Sequence, residues 1–169
     1  MNPLDIDAIN RVSPYMVSLA ATNEYRFQTQ TGTIYHVGFI PDDNIKSCES
    51  YQFFISRETI HHPQKDDYVK ECVLAVLDEF FNQNTSVILY ICETSDGKEA
   101  ARDRLFVQWY CNYHDSQQFT LKTAHVEADG VGMYTAIIIR NDNPSLQLIC
   151  KEFDDLATLL TVKPGEIID

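Results

Sequence analysis

The chain has 169 residues, 44% of them hydrophobic, with 25 acidic against 13 basic side chains and a net charge of −12. That length buries about two-thirds of the unfolded surface in one core, so the chain reads as one domain over 1–169. The charge repels nucleic-acid phosphates and anionic membranes over about a Debye length, which argues against nucleic-acid and membrane partners and favours a protein partner that is itself basic.

No stretch approaches the ~20 apolar residues of a membrane span, and the first residues lack the basic start and apolar core of a secretory signal, so a cytosolic protein is expected. The five cysteines (Cys48, Cys72, Cys92, Cys111 and Cys150) are odd in number, far apart and include no Cys-x-x-Cys pair. They predict neither a disulfide framework nor a zinc knuckle, and reduced thiols are the expectation.

The first predicted element is an N-terminal helical segment within 1–22, where Leu4, Ile9 and Val12 make a short amphipathic pattern that Pro14 ends or kinks. From Asn23 the period becomes two. Tyr25, Phe27 and Thr29 alternate, Thr31 and Gly32 turn the chain, and Tyr35, Val37 and Phe39 return as a β-hairpin. Residues 41–44 break the ladder, and Tyr51, Phe53 and Ile55 alternate as a third strand.

A loop through His61 and His62 then leads to a helix capped by Asp66 or Asp67, with Val69, Cys72, Val73, Val76, Leu77, Phe80 and Phe81 at i, i+3, i+4 spacing. Residues 87–92 form an unbroken apolar run, which suits a strand covered on both faces. Asp96 with Glu99 opens a helix over about 97–113, striped by Ala101, Leu105 and Trp109. Strands near 118–126 and 132–140 follow, joined through Asp129 and Gly130, and the second carries Ile137, Ile138 and Ile139. Asn143 and Pro144 start a last helix with Leu146, Ile149, Phe153, Leu156 and Leu160 on its apolar side, and 163–169 is a loose tail. The fold class is therefore α+β, a mainly antiparallel sheet of about six strands flanked by roughly three to four helices.

From the hairpin onward this order of elements resembles the GNAT acetyltransferase fold, in which three antiparallel strands lead into a helix, a central strand, a second helix and a final strand pair. The resemblance implies an acyl-coenzyme A site at the turn into the first of those helices, where that family carries Gln/Arg-x-x-Gly-x-Gly/Ala and backbone N–H groups hold a pyrophosphate. Here residues 56–67 contain no glycine, and Asp66 and Asp67 place two carboxylates at the helix start. The family's second signature, Asn-x-x-Ala-x-x-Leu-Tyr, is approximated by Ala101, Leu105 and Phe106, with Trp109 and Tyr110 beyond. Phenylalanine has no proton to donate, so the implied scaffold has lost its general acid.

A second resemblance rests on Gly32, Tyr35, Val37 and Phe39, on Asp96, Arg102, Phe106 and Trp109, and on the run from Arg140 to Pro144. Together these look like a family of small uncharacterised bacterial proteins. It implies a bacterial cytosolic origin and no catalytic residue.

Each remaining constellation has a structural reading beside a chemical one. His61, His62, Asp66 and Asp67 are metal-ligand types, but adjacent histidines on an extended segment diverge, so a solvated loop before a capped helix is the simpler reading and no metal is expected. Cys92 at a strand end, with His114 or His125 as activator, is outweighed by a small buried hydrophobe. Arg102, Arg104, Tyr110 and Tyr113 mix cations with aromatics and, with His61 and His62, make up the candidate binding surface. Arg140 to Pro144 reads as side chains satisfying the backbone of a strand-to-helix turn. Two function classes result: a non-catalytic cytosolic binding or regulatory protein on a decayed acyltransferase scaffold, with no cofactor, or an acyl-CoA-dependent N-acyltransferase with an atypical cofactor site.

Overall fold

The computed structural model describes residues 1–58, 66–92, 116–128 and 131–161. Among them are seven strands, mainly antiparallel, and three α-helices, an α+β architecture. The described residues gather into two compact units, one from Met1–Ile40 and Phe53–Ser86, the other from Pro41–Gln52 and Val87–Asp169.

In the first unit, α1 (Ile6–Val12) opens with Asp5, whose carboxylate accepts the N–H groups of Asp7 and Ala8, and closes at Ser13 before Pro14. Ile9 on this helix is buried, whereas Val12 is 69% exposed and does not extend the apolar side. The chain does not continue as the helical segment expected over 1–22. Val17–Ala21 forms strand β1, paired antiparallel with β2 (Glu24–Gln28) across a two-residue turn in which Asn23 adopts φ 58°. Only Val17 of the five β1 residues is buried, so this outer strand carries no alternation for a sequence pattern to reveal.

The expected hairpin of β2 with β3 (Ile34–Asp42) forms in the register Tyr25 to Val37 and Phe27 to Tyr35, and Gly32 supplies the φ of 85° its turn needs. β4 (Ser50–Glu58) is the third predicted strand. α2 (Tyr68–Gln83) buries Val69, Cys72, Val73, Val76 and Phe80, the spacing of one helical face. Phe80 stacks on Phe39 of β3 at 4.5 Å, and Phe39 in turn meets Phe53 of β4 at 5.8 Å. Buried Glu79 on α2 is satisfied by the Asp5 N–H at 3.1 Å and the Gln83 amide at 2.8 Å, as a buried carboxylate requires.

In the second unit, β7 (Val131–Arg140) lies between β5 (Val87–Cys92) and β6 (Phe119–Ala128), antiparallel to both, with Leu89 opposite Ile137 and Lys122 opposite the same Ile137. Val87, Leu89, Ile137 and Ile139 make one face, packed with Ile149 and Phe153 of α3 (Leu146–Thr161) and with Ile45 from the preceding loop. Ile88, Ala136 and Ile138 point the other way and are buried too, so the unbroken apolar runs do mark strands covered on both sides. The turn from Arg140 to Pro144 works as expected: Arg140 forks onto Asp142, Asn141 donates to the Gln117 carbonyl, and Asn143 Oδ1 accepts the Ser145 N–H. α3 begins at Leu146, two residues past Pro144. The helix expected over about 97–113, with Trp109, lies outside the described residues, as does the tail 163–169.

Candidate functional site

Alternation along β2 and β3 sends Tyr25, Phe27, Val37 and Phe39 toward the core and places Glu24, Arg26, Gln28, Ile34, His36, Gly38 and Ile40 on the opposite face. On that outer face His36 bridges three strands. Its Nδ1 lies 2.6 Å from Glu24 Oε1 on β2 and its Nε2 lies 2.8 Å from Glu58 Oε1 on β4. Both ring nitrogens can donate only in the imidazolium, so the arrangement selects the charged form. The His36 pKa is raised: the hydrogen bond to Glu58 contributes most, partial burial opposes it, and the Glu24 bond adds to the rise.

Arg26 stands directly opposite His36 in the β2–β3 register. It is exposed and makes no salt bridge among the described residues, because Glu24, the nearest acid along its strand, is engaged by His36. Beside it an open depression of about 370 Å³ lies between Met16, Ser18, Arg26, Phe27, Gln28 and Ile34. Met16 is 77% exposed and Ile40 51%, so aliphatic surface interleaves with the charged row. Such a face can pair ions and hydrogen bonds with a partner. It is poorly suited to proton transfer, since both nitrogens of its histidine are committed to carboxylates.

The two carboxylates sit on opposite ring nitrogens and do not converge on a point. Among the described residues no group of three His, Cys, Asp or Glu side chains is placed to hold a metal ion. Cys72 is buried and Cys48 half-buried, and burial pushes both thiols up, away from the thiolate a nucleophile requires. His125 is exposed and stacks on Tyr134 at 4.3 Å. Cys92 also pairs with Tyr134, from the far side of β7, so His125 and Cys92 stand two strand spacings, roughly 9.6 Å, apart in the backbone register.

At the start of α2 the question of which aspartate caps is resolved. Asp66 Oδ1 accepts the Tyr68 N–H at 3.0 Å and its Oδ2 accepts the Tyr15 hydroxyl at 2.8 Å, while the Asp67 side chain makes no capping bond. The helix N-terminus is thus occupied by a carboxylate of its own chain.

His61, His62, Arg102, Arg104, Tyr110 and Tyr113, the surface expected from the sequence, all lie outside the described residues, as do Cys111 and His114. The Glu24, Arg26, His36 and Glu58 group was not legible beforehand. Its members are ordinary polar positions of alternating strands, and only the cross-strand register brings residues 24, 36 and 58 together.

Fold and face together describe an α+β protein with an ordered row of charged side chains on one outer sheet face. Residues 65–155 match the family of unknown function DUF6169, and the chain belongs to that family. The match takes in α2, β5, β6, β7 and most of α3, and β1 to β4 lie outside it. No curated protein and no solved structure matches the chain. Among the described residues no helix is long and apolar enough to cross a membrane.

Proposed function

We propose that this is a non-catalytic binding or regulatory protein that meets a protein partner on the outer face of β2 and β3. One observation carries the reading: Arg26, which makes no salt bridge among the described residues, and the His36 ion triplet lie beside an open depression with aliphatic walls. Interfaces are built from such mixtures, and pre-paired side chains lose little freedom on docking. A net charge of −12 steers a basic partner toward the molecule at long range, and at the contact itself Arg26 pairs with an acidic side chain of that partner. An antitoxin-like, immunity-like or regulatory role in a bacterial cytoplasm fits that acidity. Support for a decayed GNAT-like scaffold comes from the order β2, β3, β4, α2, β5 and then the β6–β7 pair, with β1 as an additional strand ahead of it.

The competing reading, an acyl-CoA-dependent transferase, needs a phosphate at the start of α2. Asp66 already fills that position and would repel the anion. A ligand at 100 times its Kd adds about 2.7 kcal/mol to the native state, so millimolar acetyl-CoA should raise the melting temperature if it binds and leave it unchanged on our reading.

The face itself is tested by a photo-crosslinking residue placed at Gln28 and, as a control, at exposed Lys151 on α3. In cells of the native host the expected result is a discrete adduct from position 28, lost with Arg26→Glu, and none from position 151. Equal labelling at both positions, or an adduct indifferent to Arg26→Glu, would overturn the assignment.

A further inference from the structure

We infer that β1 is a dimerisation edge on which two copies of this chain pair antiparallel. Residues 12–23 contain no charged side chain, in a chain where 22% of residues are charged. Within this short run Val12, Met16 and Leu19 are 69%, 77% and 56% exposed. Exposed edge strands are ordinarily guarded by lysine, proline or a covering element, and an uncharged apolar edge invites another strand.

The backbone shows where the free groups lie. The Asn10 side chain binds both polar groups of Val17, its Oδ1 accepting the Val17 N–H at 2.7 Å and its Nδ2 donating to the Val17 carbonyl at 2.9 Å. Val17 therefore faces away from β2, and Val17 with Phe27 is a non-hydrogen-bonded pair. By alternation Ser18 bonds to β2, and the N–H and carbonyl of Leu19 turn outward, just before the bulge between Leu19 and Ala21. Leu19 is the point about which a two-fold antiparallel pair can close, and Asn10 limits how far the new ladder extends toward Val17.

Charge selects the occupant. A basic partner finds no carboxylate to pair with along the strand edge itself. For a second copy carrying −12 this run is where contact adds no like-charge repulsion. An isologous pairing follows, the commonest form of soluble oligomer. Because the remaining surfaces still repel at long range, added salt should strengthen the pair.

Sedimentation velocity of the full chain at about 10–500 µM, in low and high salt, tests this; a short edge contact places the equilibrium toward the weak end of known interfaces. We expect a concentration-dependent dimer, a several-fold fall in Kd from low to high salt, and loss of the dimer in Leu19→Lys. Leu19 is exposed, so that variant should keep the wild-type melting temperature, and Met16→Lys serves as a second variant. A monomer at every concentration, a dimer that persists in both variants, or one that salt dissociates would overturn the inference.

Discussion

Gly38→Ala puts the packing of the outer face to a quantitative test. A Cβ built at Gly38 would stand 2.5 Å from Phe54 Cζ and 3.2 Å from the Asn23 carbonyl oxygen, which already accepts the Phe39 N–H at 3.0 Å. The backbone of Gly38 is not left-handed, so conformation alone would favour alanine by about 0.4–1 kcal/mol through the unfolded chain. The clash has the opposite sign. Overpacking of this kind costs about 1–3 kcal/mol, because Phe54 must leave its position over Gly38 or the strands must part. The net expectation is a loss of about 1–2 kcal/mol, or a fall in melting temperature of about 2–8 °C at this chain length. Urea and thermal unfolding measure it, and Phe54→Ala completes a double-mutant cycle. With the ring removed, Gly38→Ala should become neutral or slightly stabilising. An unchanged loss in the Phe54→Ala background would refute the reasoning, because the cost would then lie in the backbone and not in the ring.

Two further predictions concern pH. The His36 pKa is raised in the folded chain, so its contribution to stability is complete below about pH 6.5 and fades as pH rises through the folded value. An NMR titration should place His36 above the ordinary histidine range, and His36→Gln should remove that part of the pH slope. Glu152 behaves in the opposite sense. Burial works against its ionisation, but its Oε2 accepts the Ser47 N–H at 3.1 Å, the Ser47 hydroxyl at 3.0 Å and the Lys46 N–H at 2.9 Å, and the balance lowers its pKa. Its stabilisation is present above the usual carboxylate range and lost as pH falls through the folded value, and Glu152→Gln should flatten the acid limb of the stability curve.

The elements that were legible in the sequence are those whose side chains alternate or recur against a buried face. Phe39, Phe53 and Phe80 repeat with periods that only a sheet and a helix satisfy, and Ile137 to Ile139 can hardly be other than a covered strand. β1 was invisible because four of its five residues are exposed, and what fixes it is a partner strand and a side chain from α1 rather than its own pattern. The outer face was illegible for a related reason. Glu24, His36 and Glu58 lie 12 and 22 positions apart, and no local rule couples them. Net charge motivates the expectation of a basic partner but gives it no location, since a sum over the chain carries no geometry.

Asn10 offers a last test of how a side chain can stand in for a strand. Its amide presents one acceptor and one donor to Val17 in the arrangement a neighbouring backbone would use. Asn10→Ala deletes both bonds and leaves two polar groups of a buried residue to find water. The cost is about 1–2 kcal/mol, reduced by the ~0.5 kcal/mol that alanine gains in a helix. Asn10→Asp separates hydrogen bonding from shape, because aspartate fills the same volume and still accepts from the Val17 N–H but aims a second lone-pair oxygen at the Val17 carbonyl. Repulsion there should make aspartate no better than alanine at neutral pH, with recovery only as the carboxyl protonates and becomes a donor. Thermal unfolding and hydrogen exchange at the Val17 amide read both variants. If Asn10→Asp proves as stable as the wild type at pH 7, packing and not the paired amide holds β1 to α1.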